Sequence, residues 1–182
     1  MLDIENFEQV HERIVKSREW RDLQIKFAEA EHVFYFGHGG NMSIAEHAAI
    51  DASRLTDKNV KAPGGGTLVT SIQSDTTFHD WIKEWLKMST RGLDPSKCLA
   101  IGLSCSLGSH SANCIVEGLN WADSQGIATA MVSAQYNPCG NSDIIKIVQG
   151  VEQYHTSEIL SLTLTYELIH GAGYHCPKIL RK

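Results

Sequence analysis

HVFYFGHGGNMSIAEHAAIDASRL, residues His32–Leu55, is the stretch that decides the fold. The apolar run Val33-Phe34-Tyr35-Phe36 stops at Gly37-His38-Gly39-Gly40. Asn41 and Ser43 follow, and then an alanine-rich pattern of helical period begins. This order reads as a buried strand, a glycine turn and a helix N-terminus. Glycines allow backbone N–H groups to turn toward a ligand with no Cβ in the way. The free amides and the dipole of the new helix favour an anion there. The expectation is a phosphate-bearing ligand at the carboxyl edge of a parallel sheet.

The rest of the chain repeats that rhythm. A long amphipathic N-terminal helix is expected from Phe7, Val10 and Ile14 through Trp20, Leu23 and Phe27, with a break near Ser17. After the Pro63–Gly66 loop, Thr67–Ile72 reads as a second strand. Asp75-Thr76-Thr77 is placed to cap a helix carrying Phe78, Trp81, Ile82, Trp85 and Leu86. Cys98–Leu103, Ala128–Val132 and Ile144–Val148 read as further strands. A helix with Ile115, Leu119 and Ala122 follows Cys98–Leu103, and a last helix spans about 155–169, ended by Gly171 and Gly173. Strands alternating with helices imply an α/β fold, a parallel sheet covered on both faces. Its ligand site is expected beyond the carboxyl ends of the strands, at a topological switch point.

Bulk properties narrow the function. The chain has 182 residues, 42% hydrophobic and 20% charged, with net charge −5. That suits one globular domain, divided as a helical extension 1–31, an α/β core 32–170 and a tail 171–182. Lys and Arg form no cluster beyond pairs, so no nucleic-acid partner is expected. No apolar run approaches the roughly 18 residues of a membrane span. Cys98, Cys105, Cys114, Cys139 and Cys176 form no Cys-x-x-Cys pair, so a reduced, cytoplasmic protein is expected.

Two loops carry the binding chemistry. Beside the Gly37–Ser43 turn stands SCSLGSHSAN, in which Ser104, Ser106, Ser109 and Ser111 lie between a strand and a helix. One serine suffices to cap that helix; four supply hydroxyls for an anion. The glycine spacing matches neither the dinucleotide fingerprint nor the Walker loop. Ser43, His47 and Asp51 are spaced by four and share one helix face. His155 and Glu158 share a face at the start of the last helix.

The order of a GHGGN turn, the segment Gln73-Ser74-Asp75, the SxS…SxAN loop and a final HTSE helix resembles the sugar isomerase (SIS) domain, and within it the phosphoheptose isomerases. There CGNGGSA and QHFAAEL stand where this chain has FGHGGNM and EHAAIDA. The resemblance implies a three-layer αβα sandwich with a five-stranded parallel sheet and a long N-terminal helix. It implies an aldose–ketose isomerase acting on a phosphosugar such as sedoheptulose 7-phosphate. Asp51, His47 and His155 are then the catalytic candidates. Gly39, Gly40, Asn41, Ser43, Asp75, Ser104, Ser106, Ser109, Ser111 and Glu158 are the phosphate and substrate candidates. It also implies a homo-oligomer, a tetramer or dimer, and a zinc site of His47, Asp51 and His155 with water or substrate as fourth ligand. The family's histidine within the last helix has no counterpart, because Thr163 or Leu168 stands there. That departure keeps a second reading open, a non-catalytic SIS sensor or adaptor.

Overall fold

A computed structural model of the chain describes residues 4–105, 110–136, 141 and 143–178. The order of elements is α1 (Ile4–Val15), α2 (Arg18–Glu29), β1 (His32–Gly37), α3 (Gly40–Leu55), β2 (Asn59–Lys61), α4 (Gly66–Asp75) and α5 (Trp81–Ser89). A 3₁₀ turn at Pro95–Lys97 leads into β3 (Cys98–Ser104), α6 (His110–Ser124), β4 (Ala128–Ser133), β5 (Ile145–Val148) and α7 (Tyr154–Gly171). The five strands form one all-parallel sheet in the order β2-β1-β3-β4-β5. The expected αβα sandwich is therefore observed. No helix among the described residues is long and apolar enough to cross a membrane.

Strand alternation divides the core in two. Val33 and Tyr35 of β1 and Leu99, Ile101 and Leu103 of β3 face the layer of α1, α2, α3 and α7. Phe34, Phe36, Cys98 and Ala100 face α4, α5 and α6. Strands buried on both faces read as unbroken apolar runs, which is why VFYF carried no polar alternation. Trp85 meets Phe34 and Phe36 edge-on, with ring centroids 6.1 Å apart in each pair. On the other face Ala45, Ala48, Ala49 and Ala52 are buried, and their small size lets α3 lie close to the sheet and α7.

Two expectations are corrected and one is borne out. The residues 67–72 are helical, inside α4, and the second strand is the three-residue β2. Leu68, Val69 and Ile72 pack on the second core at helical spacing, and this outweighs the β-branched composition. Asp75 is the last residue of α4 and caps nothing; Asp80 precedes α5 and is held by the Thr77 hydroxyl at 2.9 Å. The break expected near Ser17 is present and divides the N-terminal helix in two. Ser17 ends the first and caps the second, its hydroxyl accepting from Trp20 N–H at 3.1 Å. Its stripe is also covered within the chain, with Val10 and Ile14 buried in the first core. That stripe therefore gives no reason by itself to require a second subunit.

Close approach over β3 depends on Gly102. A Cβ there would lie 2.7 Å from Ile115 Cγ2 and 3.2 Å from both Leu119 Cδ1 and Phe36 Cε2. Overpacking of this kind costs about 1–3 kcal/mol. Gly102→Ala is expected to lower the urea midpoint accordingly, with an unchanged m value.

Candidate binding cavity at the β1–β3 switch point

β1 and β3 run side by side, with Gly37 opposite Leu103. The chain leaves β1 toward α3 on one face, and leaves β3 toward α6 on the other. The divergence opens a crevice at the carboxyl edge, the place where ligands bind in open α/β sheets. A cavity of about 400 Å³ lies there, lined by the turn His38–Asn41, by Leu103, Ser104 and Cys105 at the end of β3, and by Ile115, Phe78, Tyr154 and Glu158. That volume is within the range of small-molecule sites, about 300–1,000 Å³.

The turn is built by its glycines. Gly39 has φ of +55°, a conformation open to glycine, and stands immediately before α3. A Cβ at Gly40 would overlap the Glu158 carboxylate, so α7 lays that carboxylate directly against the first residue of α3. The positive end of the helix dipole favours a negative group in this position. Asn41 is 4% exposed; its Nδ2 donates to Cys105 Sγ at 3.0 Å, and its Oδ1 is buried without a hydrogen-bond partner among the described residues. Ser104 is buried at the end of β3.

His38 is held from three sides. Its ring stacks on Phe78 at 5.2 Å and 31°, stands edge-on to Trp81 at 5.6 Å, and places Nε2 2.7 Å from Cys114 Sγ. Burial holds the imidazole below its usual pKa and pushes the Cys114 thiol up to about 11. At neutral pH the thiol therefore keeps its proton. The start of α7, and with it Glu158, is anchored by a buried amide. Gln149 Nε2 donates to Ser157 O at 3.1 Å and to Ser161 Oγ at 2.9 Å, and Gln149 O accepts from Arg13 at 2.6 Å.

The structure brings together Gly39, Gly40, Asn41, Ser104 and Glu158 of the sequence candidates. Ser43 and His155 are exposed and do not line this cavity, and neither does the exposed Asp75. Ser106 and Ser109 lie outside the described residues, as does the side chain of Ser111.

His47 and Asp51 form a separate cluster with Tyr166. The phenol donates to Asp51 Oδ2 at 2.6 Å, and His47 Nε2 lies 3.2 Å from both Tyr166 OH and Asp51 Oδ2. The Asp51 carboxylate raises the phenol to about 12 by accepting a hydrogen bond from it. The cluster borders a different hollow of about 390 Å³, with Arg54, Leu55, Cys176 and Pro177. His155 does not join it. Among the described residues no group of three His, Cys, Asp or Glu side chains could hold a metal ion, so the expected zinc set does not assemble in one subunit.

Sequence reasoning missed His38, Phe78, Cys105, Gln149, Tyr154 and Tyr166. The available signals were local. His38 sits inside the glycine turn itself, and Gln149 is a polar residue directly after an apolar strand.

No family model and no curated protein matches the chain. Solved structures do. A phosphoheptose isomerase from Neisseria gonorrhoeae superposes with a TM-score of 0.73 at 15% identity, over 92% of this chain and 91% of that one. A phosphoheptose isomerase from Francisella tularensis gives 0.71 at 12% identity, over 93% and 94%. The sugar isomerase domain of an RpiR transcription factor from Sphaerobacter thermophilus gives 0.54 at 17% identity, over 93% and 89%.

The His38 environment has a pH signature. The unfolded ring protonates near its ordinary value and the folded ring only below it, so acid favours unfolding. The contribution is fully present above about pH 6.5 and is lost as pH falls through the folded pKa. His38→Gln is expected to flatten that part of the acid limb, read as urea midpoints between about pH 7.5 and pH 5.

Proposed function

With the sugar isomerase (SIS) domain fold as premise, we propose that the chain binds a phosphosugar in the β1–β3 cavity and interconverts its ketose and aldose forms. A ketose phosphate such as sedoheptulose 7-phosphate is the substrate class. The observation that supports this most is the placement of Glu158: a carboxylate lies in the switch-point cavity, against the first residue of α3.

The reaction moves one proton between C1 and C2 through an enediol. A carboxylate within hydrogen-bond reach of these carbons takes the proton from one and returns it to the other. In this reading Glu158 is that base. The hydroxyl and carbonyl oxygens exchange a proton in the same step, so no co-reactant is consumed.

The phosphate then sits away from Glu158, because two anions at one helix end repel. It is assigned to the Ser104 side, where β3 leads on toward α6 and a helix N-terminus favours an anion. No Lys or Arg lines the cavity among the described residues, so amides and hydroxyls, not cations, would hold the anion. Where a dimer or tetramer forms, His47 and Asp51 act only if a second subunit closes over the α3–α7 surface. No step is routed through zinc.

A second reading, a phosphosugar sensor or adaptor, is favoured by one observation. The imidazole that lines the cavity is already engaged, His38 with Cys114. Incubation with sedoheptulose 7-phosphate in D2O, followed by NMR, separates the two. Deuterium at C1 or C2 is expected from the wild type, and Glu158→Gln should lower its rate by about 10²-fold or more. Binding without exchange would replace the enzyme reading by the sensor reading.

Gly40→Ala gives an independent check. The group it displaces is the flexible end of Glu158, so the melting temperature should move by only a few degrees, about 1 kcal/mol. Exchange at C1 and C2 should fall nearly as far as in Glu158→Gln.

A further inference from the structure

Three groups around the cavity have no part in moving a proton. Asn41 Oδ1 is a buried acceptor without a partner among the described residues, while the same amide's Nδ2 is satisfied by Cys105. Leaving such an acceptor unmade costs about 1–3 kcal/mol, so the site is built to receive a donor. A phosphate dianion carries no hydrogen to donate; a hydroxylated carbon chain carries several.

Phe78 and Tyr154 are the second and third. They come from different elements, the α4–α5 connection and the first residue of α7, yet both line this one cavity. Phe78 is 45% exposed and Tyr154 66% exposed, among the few large apolar side chains left outside the core. Phe78 is nonetheless held in place, stacked on a His38 ring that Trp81 and Cys114 fix in turn. Tyr154 is tied by its carbonyl to Cys105 Sγ at 3.8 Å. Exposed aromatic rings lining a cavity fit the C–H faces of a sugar, whose hydroxyls point away in the plane of the ring. The faces contribute area burial, and the acceptors contribute orientation.

We propose that Phe78, Tyr154 and Asn41 Oδ1 form the subsite for the hydroxylated carbon chain of the ligand, and so select a sugar phosphate over a bare anion. This rests on the phosphosugar reading above and assigns the part of that ligand which the proton transfer leaves unassigned. It also sets the ligand's direction: the carbon chain lies toward α7 and the α4–α5 connection, and the phosphate toward Ser104.

The test is calorimetric titration of the full chain with three probes: inorganic phosphate, sedoheptulose 7-phosphate and uridine diphosphate. The wild type is expected to bind sedoheptulose 7-phosphate about tenfold or more tightly than inorganic phosphate. Phe78→Ala and Tyr154→Ala should each weaken the sugar phosphate about three- to tenfold and leave inorganic phosphate unchanged. Phe78→Tyr, which keeps a ring face, should restore the sugar phosphate. Equal losses for both probes would mark the rings as structural and overturn the subsite. So would unchanged affinities in both alanine variants, or tighter binding of uridine diphosphate than of the sugar phosphate. Inorganic phosphate bound with no preference for the sugar phosphate would overturn the subsite and leave an anion site standing. Failure of the wild type to bind any probe would overturn the phosphosugar reading together with the subsite.

Discussion

The adjacency of β1 and β3 is the constraint on which the rest of the structure depends. Both strands are buried on both faces, so their hydrogen-bonded edges must pair and their side chains must serve two cores at once. Their outgoing helices then go to opposite layers, which opens a crevice between them. The cavity is a consequence of that topology, made before any functional residue is chosen. Gly37 and Gly40 let the chain take it up. A Cβ at Gly37 would come within 2.9 Å of Asn41 Cβ, and one at Gly40 would expel Glu158. The tight turn and the position of the carboxylate are therefore one arrangement.

The same topology separates two sets of polar groups on α3. Its first turn faces the cavity with Gly40 and Asn41. One and two turns further along, the exposed side of the helix carries His47 and Asp51, which meet α7 through Tyr166. Helical spacing put Ser43, His47 and Asp51 on one face correctly, but a common face does not make a common cavity. Asn41 is buried against Cys105 while Ser43 is exposed, two residues away. The helix turns about 200° between them, so a residue in the cavity implies that its neighbour two along is not. Tyr166 gives the His47–Asp51 pair a hydrogen-bonding partner inside the subunit.

Most of the fold was legible because apolar runs of strand length ended in glycine turns or before helical patterns. Four of the five strands could be placed within a residue or two by that rule. β2 could not, because three edge residues with only Val60 buried leave no pattern to read. Thr67–Ile72 drew the assignment instead, because Thr, Val and Ile favour strands locally, while the packing of Leu68, Val69 and Ile72 decided for helix. The site was legible only where backbone made it. Gly39, Gly40 and Asn41 follow from the turn, and Glu158 from its place at the start of α7. Phe78, Cys105 and Tyr154 come from three separate segments, and nothing short of the tertiary fold brings them together.

What α7 contributes follows from how it is held. Its first turn is tied to the end of β5 through Gln149, which is wholly buried and bonded to Ser157 and Ser161. The same residue's carbonyl accepts from Arg13 on α1. A fully satisfied buried network fixes one geometry and leaves few alternatives, since each broken bond would strand a polar group away from water. Ser157 is the residue before Glu158, so the network sets the height at which the carboxylate meets α3. The N-terminal helices thus do more than cover the sheet. Through Arg13, Gln149 and Ser157 they reach Glu158, whose carboxylate lines the cavity.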